Sequence, residues 1–169
     1  MTADPLPGSS ATTGPPRTAS PPEVNAGTGT TYRPSPPDGP VELALPYTPP
    51  SAARARLLVG ATLRAWNLAD LVEAGELVVS ELVTNAIETG CNLRMVVTVR
   101  RLNRRTVRVA VQDGSRSLPC LIDAGPGARN GYGLLLVHHF TRGYWGAALE
   151  GIGKTVHADL RAPEPPRSR

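Results

Sequence analysis

The chain is poor in cysteine, in aromatic residues and in long apolar runs, and each scarcity excludes a class of protein. Its 169 residues include two cysteines, and aromatic residues make up 4%. Cys91 and Cys120 have neither the spacing of a zinc site nor a secretory context, so we expect two reduced thiols. No apolar run is long enough to span a membrane, and the N-terminus lacks the apolar core of a signal peptide. We therefore expect a cytoplasmic protein without a disulfide framework or a membrane partner.

Large apolar residues are also scarce at both ends of the chain. Residues 1–40 are a mixture of Pro, Gly, Ser, Thr and Ala with almost no large apolar side chain. Such a segment cannot bury enough surface to offset the entropy lost on ordering, so we predict that it is disordered. The Pro-rich tail at 162–169 is predicted to be disordered for the same reason. The folded domain is then expected at 41–161, a length that builds a core without disulfides or metals.

Basic charge is present, with a formal net charge of +4. Several arginines surround one predicted turn, namely Arg94, Arg100, Arg101, Arg104, Arg105 and Arg108. This cluster has little aromatic interleaving, and the chain carries no recognition-helix or zinc pattern. The sequence therefore favours a solvated strand face or an acidic protein partner over direct binding of nucleic acid.

Hydrophobic periodicity predicts the order of the structural elements. An edge strand at Val41–Leu45 is followed by two helices, the first capped by Ser51 and the second ending at Gly90, a natural left-handed stop. Two antiparallel hairpins with a short helix between them follow, at 93–99, 107–111, 133–141, 144–149 and 155–160. Helix pairs and hairpins in separate blocks predict an α+β two-layer sandwich.

The most informative stretch is the apolar helical segment that contains Glu81 and Asn85. Residues four apart on a helix share a face, so the carboxylate and the carboxamide are predicted to lie on one stripe. An amide oxygen suits Mg²⁺, which takes oxygen ligands from protein, phosphates and water. A neighbouring carboxylate can accept a proton from a hydroxyl group or water. Taken alone, the pair also fits an ordinary solvated helix face.

Polar or glycine residues also stand at the ends of later elements. Asp113 ends a strand, where it can accept a hydrogen bond from an exocyclic amine or simply form a turn. Gly131 and Gly133 flank a helix start, where free backbone N–H groups let phosphate oxygens approach. The loop at 115–130 has no periodicity, which is typical of functional or mobile loops. Together these positions predict one nucleotide pocket.

In this order the segments resemble a known superfamily. Ser-Glu-Leu-Val-Thr-Asn-Ala at 80–86, Asp-Gly at 113–114, Gly-Tyr-Gly-Leu-Leu-Leu-Val at 131–137 and Gly-Lys-Thr-Val at 153–156 look like the ATPase superfamily shared by gyrase, sensor histidine kinases and heat-shock chaperones. Within it, the chain most resembles the small anti-sigma-factor serine/threonine kinases of actinobacterial type. The resemblance implies the Bergerat ATP-binding fold, a mixed, largely antiparallel sheet covered on one side by helices, with ATP and Mg²⁺ under a flexible lid.

The resemblance also implies a role for each matching position. These roles are Glu81 as catalytic base, Asn85 as Mg²⁺ ligand, Asp113 as contact to the adenine amino group, Gly131 and Gly133 as the frame of the phosphates, and Thr155 near Asp113 and the adenine through water. Residues 115–130 would form the lid, with Arg116 and Arg129 as its cations. Lys154 is either a further cation for the phosphates or a solvated residue at a strand start.

Two classes of function follow. The first is a kinase that uses ATP and Mg²⁺ to phosphorylate an anti-anti-sigma partner and that sequesters a sigma factor, with a homodimer formed through the sheet face or first strand as in many relatives. The second is a non-catalytic, ATP-responsive protein-binding module. It is motivated by Ser115 and Ser117, which replace the glycines of the family's Asp-x-Gly-x-Gly box. A histidine-kinase ATPase domain or chaperone clamp fits less well, because the sequence shows no dimerisation coiled coil or phospho-acceptor helix.

Overall fold

The structure, a computed structural model, describes residues 39–90, 94–120 and 132–164. Its elements in chain order are β1 (Val41–Leu45), α1 (Pro50–Ala65), α2 (Val72–Thr89), β2 (Met95–Asn103), β3 (Thr106–Asp113), α3 (Gly133–Thr141), β4 (Trp145–Glu150) and β5 (Gly153–Arg161). A single 3₁₀ turn precedes α2. The predicted order of elements is confirmed. Most of the residues predicted to be disordered, 1–40 and 162–169, lie outside the described residues. Ala162, in the predicted tail, is buried, and its backbone N–H donates a 2.8 Å hydrogen bond to the carbonyl oxygen of Arg105.

The five strands form one sheet in the order β1-β2-β3-β5-β4. All four pairings among the described strands are antiparallel. β3 and β4 run in the same direction, but β5 lies between them and no parallel pair forms within the described part. The α+β two-layer sandwich and the largely antiparallel sheet are therefore confirmed.

The core lies between one face of this sheet and the helices. Alternate residues of three strands are buried, namely Met95, Val97, Val99, Val107, Val109, Val111, Val156, Ala158 and Leu160. Side chains alternate between the two faces of a strand, so this set marks the face that the helices cover. α1 and α2 contribute buried residues such as Val59, Leu63, Val78 and Leu82. Each fully buried Val or Leu contributes about 1.5–3 kcal/mol, and this packing fixes the rotation of α2 on the sheet.

Two predicted details of the helix ends are wrong. Ser51 lies inside α1 and does not cap it, because its Oγ donates a hydrogen bond of 2.7 Å to the carbonyl oxygen of Pro46. Gly90 follows the last residue of α2, but its backbone, with a φ of −70° and a ψ of 143°, is extended and not left-handed. The ring of Tyr47 occupies the space that a side chain at Gly90 would need. Both ends therefore depend on residues outside the helix they terminate.

None of the described helices combines the length and the apolar character that a membrane-spanning segment needs.

Candidate functional site

One stripe of α2 carries three polar side chains at successive turns, Glu81, Asn85 and Thr89. All three are half-buried, because the buried residues of α2 face the sheet and this stripe lies at the edge of that packed face. Within the described residues, neither the Glu81 carboxylate nor the Asn85 carboxamide makes a hydrogen bond or an ion pair. The predicted shared face is confirmed, and it presents two polar groups whose bonding capacity is not used by the fold.

Gly133, the first residue of α3, lies directly against this stripe. A Cβ atom at Gly133 would collide with the carboxylate of Glu81. The start of α3 can therefore approach α2 this closely only because residue 133 has no side chain. The first N–H groups of a helix have no partner within the helix. The structure thus brings the carboxylate of Glu81 to the N-terminus of α3, which is the helix end at which anions bind most readily. Gly131 lies outside the described residues.

The carboxyl group of Glu81 has an altered proton affinity. Burial raises its pKa above the ordinary value of 4.5, and the negative charge of Glu88 raises the pKa further. Burial acts in this direction because a less polar environment disfavours the charged form of an acid. A carboxylate with a raised pKa is a better proton acceptor than an ordinary glutamate, which suits a general base.

Asp113 lies at the end of β3 with its side chain buried. Its Oδ1 accepts a hydrogen bond of 2.7 Å from the backbone N–H of Ser115 and one of 3.0 Å from Nζ of Lys154. Nζ lies 3.0 Å from Oδ2 as well, but Oδ2 accepts no hydrogen bond among the described residues and is buried. A buried acceptor without a donor is costly. Nζ of Lys154, 3.0 Å away, supplies the compensating charge, and the contact of Asp113 to adenine stays a prediction.

Lys154 is fully buried, so both interpretations made from the sequence, a phosphate-binding cation and a solvated residue, are wrong. It stands opposite Asp113 in the pairing of β3 with β5. Its Nζ also donates a 3.0 Å hydrogen bond to Oγ1 of Thr89, and that hydroxyl donates in turn to the carbonyl oxygen of Asn85 at 2.9 Å. A continuous polar chain therefore joins Asp113 to the turn of α2 that carries Asn85.

Thr155 lies on the other face of the sheet from Asp113. Its partner across the sheet is Gln112, and its Oγ1 donates a 2.7 Å hydrogen bond to Glu150 on the exposed face. Neighbouring residues of a strand point to opposite faces, so Lys154 and Thr155 cannot both lie beside Asp113. The placement implied for Thr155 is wrong. The sequence contained the signal, because Lys154 is in phase with the apolar residues 156, 158 and 160.

The described part of the predicted lid, residues 115–120, has no regular secondary structure. The backbone N–H of Ser117 donates to Oγ of Ser115 at 3.1 Å. The guanidinium of Arg116 donates a 2.9 Å hydrogen bond to the carbonyl oxygen of Gly151, in the turn between β4 and β5. This part of the loop is thus attached to the second hairpin. Arg129 and the rest of the lid lie outside the described residues.

The residues present fit a divalent cation only if a ligand supplies oxygens too. Among residues 39–90, 94–120 and 132–164, no cluster of three or more His, Cys, Asp or Glu side chains could hold a metal ion. Mg²⁺ does not need such a cage, since it keeps several waters and is often held by one or two protein oxygens plus phosphates. The unbonded carboxamide of Asn85 is an oxygen donor of this kind.

A known protein family matches the part of the chain that carries these residues. The family model described as "Histidine kinase-like ATPase domain" matches residues 45–156. No curated protein matches the chain. Among solved structures, it is similar to the RsbU and RsbW domains of Rv1364c from Mycobacterium tuberculosis, with 22% identity and a TM-score of 0.47, over 73% of this chain and 32% of that one. The chain thus spans about a third of the length of that structure.

The match to the family model spans more than half of the chain and includes Glu81, Asn85, Asp113 and Gly133. Such a domain implies ATP binding. The chain belongs to the histidine kinase-like ATPase family.

Proposed function

We propose that the protein is an anti-sigma-factor serine/threonine kinase that phosphorylates an anti-anti-sigma partner with ATP and that sequesters a sigma factor. The observation that carries this proposal is the pairing of Glu81 with Gly133 at the start of α3. It places a carboxylate of raised pKa beside the helix end at which phosphates would bind. The resemblance of the segments around Glu81, Asn85 and Gly133 to such kinases supports the choice of reaction.

Each site residue has a defined task in this proposal. Glu81 accepts the proton of the attacking hydroxyl group, and Asp113 accepts a hydrogen bond from the adenine amine. Gly131 and Gly133 let the phosphates approach the backbone. Asn85 would hold Mg²⁺ through its amide oxygen. When bound, the metal neutralises charge on the phosphates and thereby favours transfer.

The proposal is tested by incubating the protein with γ-labelled ATP and candidate anti-anti-sigma proteins. We expect label on a serine or threonine of one candidate. Glu81→Gln should lower the transfer rate by about 100-fold or more, the usual contribution of a general base, while ATP still binds. Glu73→Gln, which changes an exposed acid in the first turn of the same helix, is the matched control and should transfer normally. Failure to label any candidate, with ATP demonstrably bound, would count against a kinase.

A non-catalytic, ATP-responsive binding module is the second candidate. The observation that favours it is at Asp113, whose carboxylate is already engaged by Lys154 and whose following residues are serines where the family has glycines. In such a module, ATP binding alone would change the surface that a partner contacts. An Asn85→Ala variant that controlled its partner as the wild type does would favour this module over the kinase.

A further inference from the structure

The surface of α3 that leads away from the contact between Glu81 and Gly133 is apolar. Leu136 and Phe140 follow Gly133 by three and seven residues, so these positions share one face of the helix. The face that packs into the core is a different one and contains the buried Val137. Leu136 and Phe140 are left 38% and 39% exposed. The fold therefore leaves an apolar stripe, formed by Leu136 and Phe140, that begins beside the carboxylate of Glu81.

The far end of this stripe reaches a cavity of about 680 Å³ at the C-terminal end of α3. Phe140 lines the cavity together with Tyr144 and Arg142. The two acids among its described lining residues are already paired with arginines, Asp159 at 2.7 Å and Glu164 at 3.9 Å. Arg142 is exposed and makes no ion pair or side-chain hydrogen bond within the described residues. The cavity therefore carries a positive charge that suits an acidic group of a partner.

Arg142 also stands at a backbone position that does not favour arginine. It ends α3 in the left-handed conformation, with a φ of 53° and a ψ of 38°. Glycine and asparagine adopt this conformation at lower cost and commonly end helices in this way. The turn itself therefore does not explain the arginine, whereas binding of an acidic group by its guanidinium does.

We propose that the apolar stripe and this cavity bind the segment of the protein substrate that carries the phosphorylated serine or threonine. The inference rests on the proposed kinase and names the substrate segment that its site takes. An acceptor hydroxyl group can pass its proton to Glu81 only if it comes within hydrogen-bond reach of that carboxylate. The residues next to the acceptor must then lie on the surface beside Glu81, and the stripe is the apolar part of that surface.

The dimensions of α3 specify the spacing within such a segment. Measured along the helix from Gly133, the stripe spans about 4.5 to 10.5 Å, and Arg142 lies at about 13.5 Å. An extended segment advances about 3.3 Å per residue and points alternate side chains to one face. The second residue from the acceptor, about 6.6 Å away, then lies between Leu136 and Phe140, and the fourth, about 13 Å away, reaches Arg142. The substrate is thus a protein with a large apolar residue two positions and an acid four positions to one side of its acceptor.

The test measures transfer from ATP to the anti-anti-sigma protein that the wild type labels, over a range of concentrations of that protein. Leu136→Ser and Phe140→Ser remove the stripe, and Arg142→Gln removes the charge. Leu57→Ser and Arg54→Gln, at exposed residues of α1, are the matched controls. We expect the KM for the protein substrate to rise by about tenfold in each stripe variant and by about threefold in Arg142→Gln. The controls should leave it unchanged.

The split between kinetic parameters separates docking from a structural role. The kcat and the KM for ATP should stay at the wild-type values in all three variants, because a lost docking contact weakens binding of the protein substrate alone. Damage to the fold would instead lower kcat or raise the KM for ATP.

Mass spectrometry of the labelled protein gives an independent readout. We expect its phosphorylated residue to have the apolar residue and the acid at the second and fourth positions on one side. Replacing that apolar residue by serine should raise the KM as Leu136→Ser does. The two changes together should raise it by less than the product of the separate effects, because both remove the same contact.

An unchanged KM for the protein substrate in the three variants, or a labelled residue without this spacing, would overturn the inference and leave the kinase standing. If the stripe variants do not fold, Arg142→Gln decides, since it changes an exposed side chain. A wild-type chain that binds ATP but labels no candidate would instead overturn the proposed function, and this inference with it.

Discussion

The two ends of the candidate site are built in opposite ways. The acid–amide end consists of Glu81, Asn85 and Gly133. The ion-pair end consists of Asp113, Lys154 and Thr89. At the acid–amide end, both polar side chains are half-buried and make no hydrogen bonds within the described part of the chain. At the ion-pair end, the two charges are buried and bonded to each other and to α2.

This difference separates what the fold needs from what a ligand needs. Buried charges must be paired within the protein, so the ion-pair end is part of the core. Half-buried polar groups can be satisfied by water, so the acid–amide end is free to exchange water for a metal ion or a phosphate. We therefore expect changes at the ion-pair end to lower both stability and binding. Changes at the acid–amide end should lower binding or turnover and leave the fold largely unaffected.

The largest effect is expected from Asp113→Ala, which breaks the ion-pair end. It leaves the ammonium group of Lys154 buried without a counter-ion, so the free energy of unfolding should fall by about 3–5 kcal/mol. Denaturant unfolding measures this change. Glu42→Ala, at an exposed acid of β1, should change the same quantity by less than about 0.5 kcal/mol. If Asp113→Ala lowered the free energy of unfolding as little as Glu42→Ala does, a buried ion pair between Asp113 and Lys154 would be contradicted.

A smaller effect, which concerns ATP binding more than stability, is expected from Gly133→Ala. The new Cβ atom would displace the Glu81 carboxylate, and because a glutamate side chain can rotate, the fold should lose less than about 1 kcal/mol. Binding of ATP should nevertheless weaken by about tenfold, since the start of α3 no longer admits phosphates. Calorimetry measures the affinity, and Gly39→Ala, where a Cβ would meet no atom within 4 Å, is the control. Unchanged ATP affinity would show that phosphates do not approach this helix end.

The smallest effect concerns the pH dependence of stability at Glu81. Because its pKa is raised in the folded protein, the folded state holds the proton more tightly than the unfolded state does. The favourable contribution of this proton to the stability of the folded state is complete below the ordinary pKa of 4.5. It is lost as the pH rises through the raised pKa of the folded protein. Glu81→Gln should therefore be as stable as the wild type or slightly more stable at pH 7, by less than about 1 kcal/mol. The difference should disappear near pH 4 in thermal melts, and a clear destabilisation at pH 7 would contradict it.

Local periodicity predicted those parts of the site that depend on neighbours in the sequence. The shared face of Glu81 and Asn85 follows from the four-residue spacing on one helix, and Asp113 was placed correctly at a strand end. The edge position of β1 could be predicted because its alternation is weak. Each of these features is decided within a single element, so the sequence carried enough information for them.

The features that the sequence did not predict depend on contacts between elements. The packing of Tyr47 on Gly90 joins segments whose approach is set only by the fold. The bond from Ser51 to Pro46 is local, but it depends on the turn by which the chain passes from β1 to α1. Lys154 and Thr155 differ from these, because the alternation of the last strand already assigned each to a face. The resemblance implies a role for Thr155, whereas the alternation of apolar residues in β5 places Lys154 on the face of the sheet that carries Asp113.

The nucleotide site itself is tested by titrating ATP into the wild type and into Asn85→Ala, each with and without Mg²⁺. We expect the wild type to bind ATP more tightly when Mg²⁺ is present. Asn85→Ala should lose that gain while its melting temperature stays close to that of the wild type, since the carboxamide makes no bond within the described fold. Absence of ATP binding at millimolar concentrations, or the same gain from Mg²⁺ in both proteins, would contradict a metal-assisted nucleotide site on this stripe of α2.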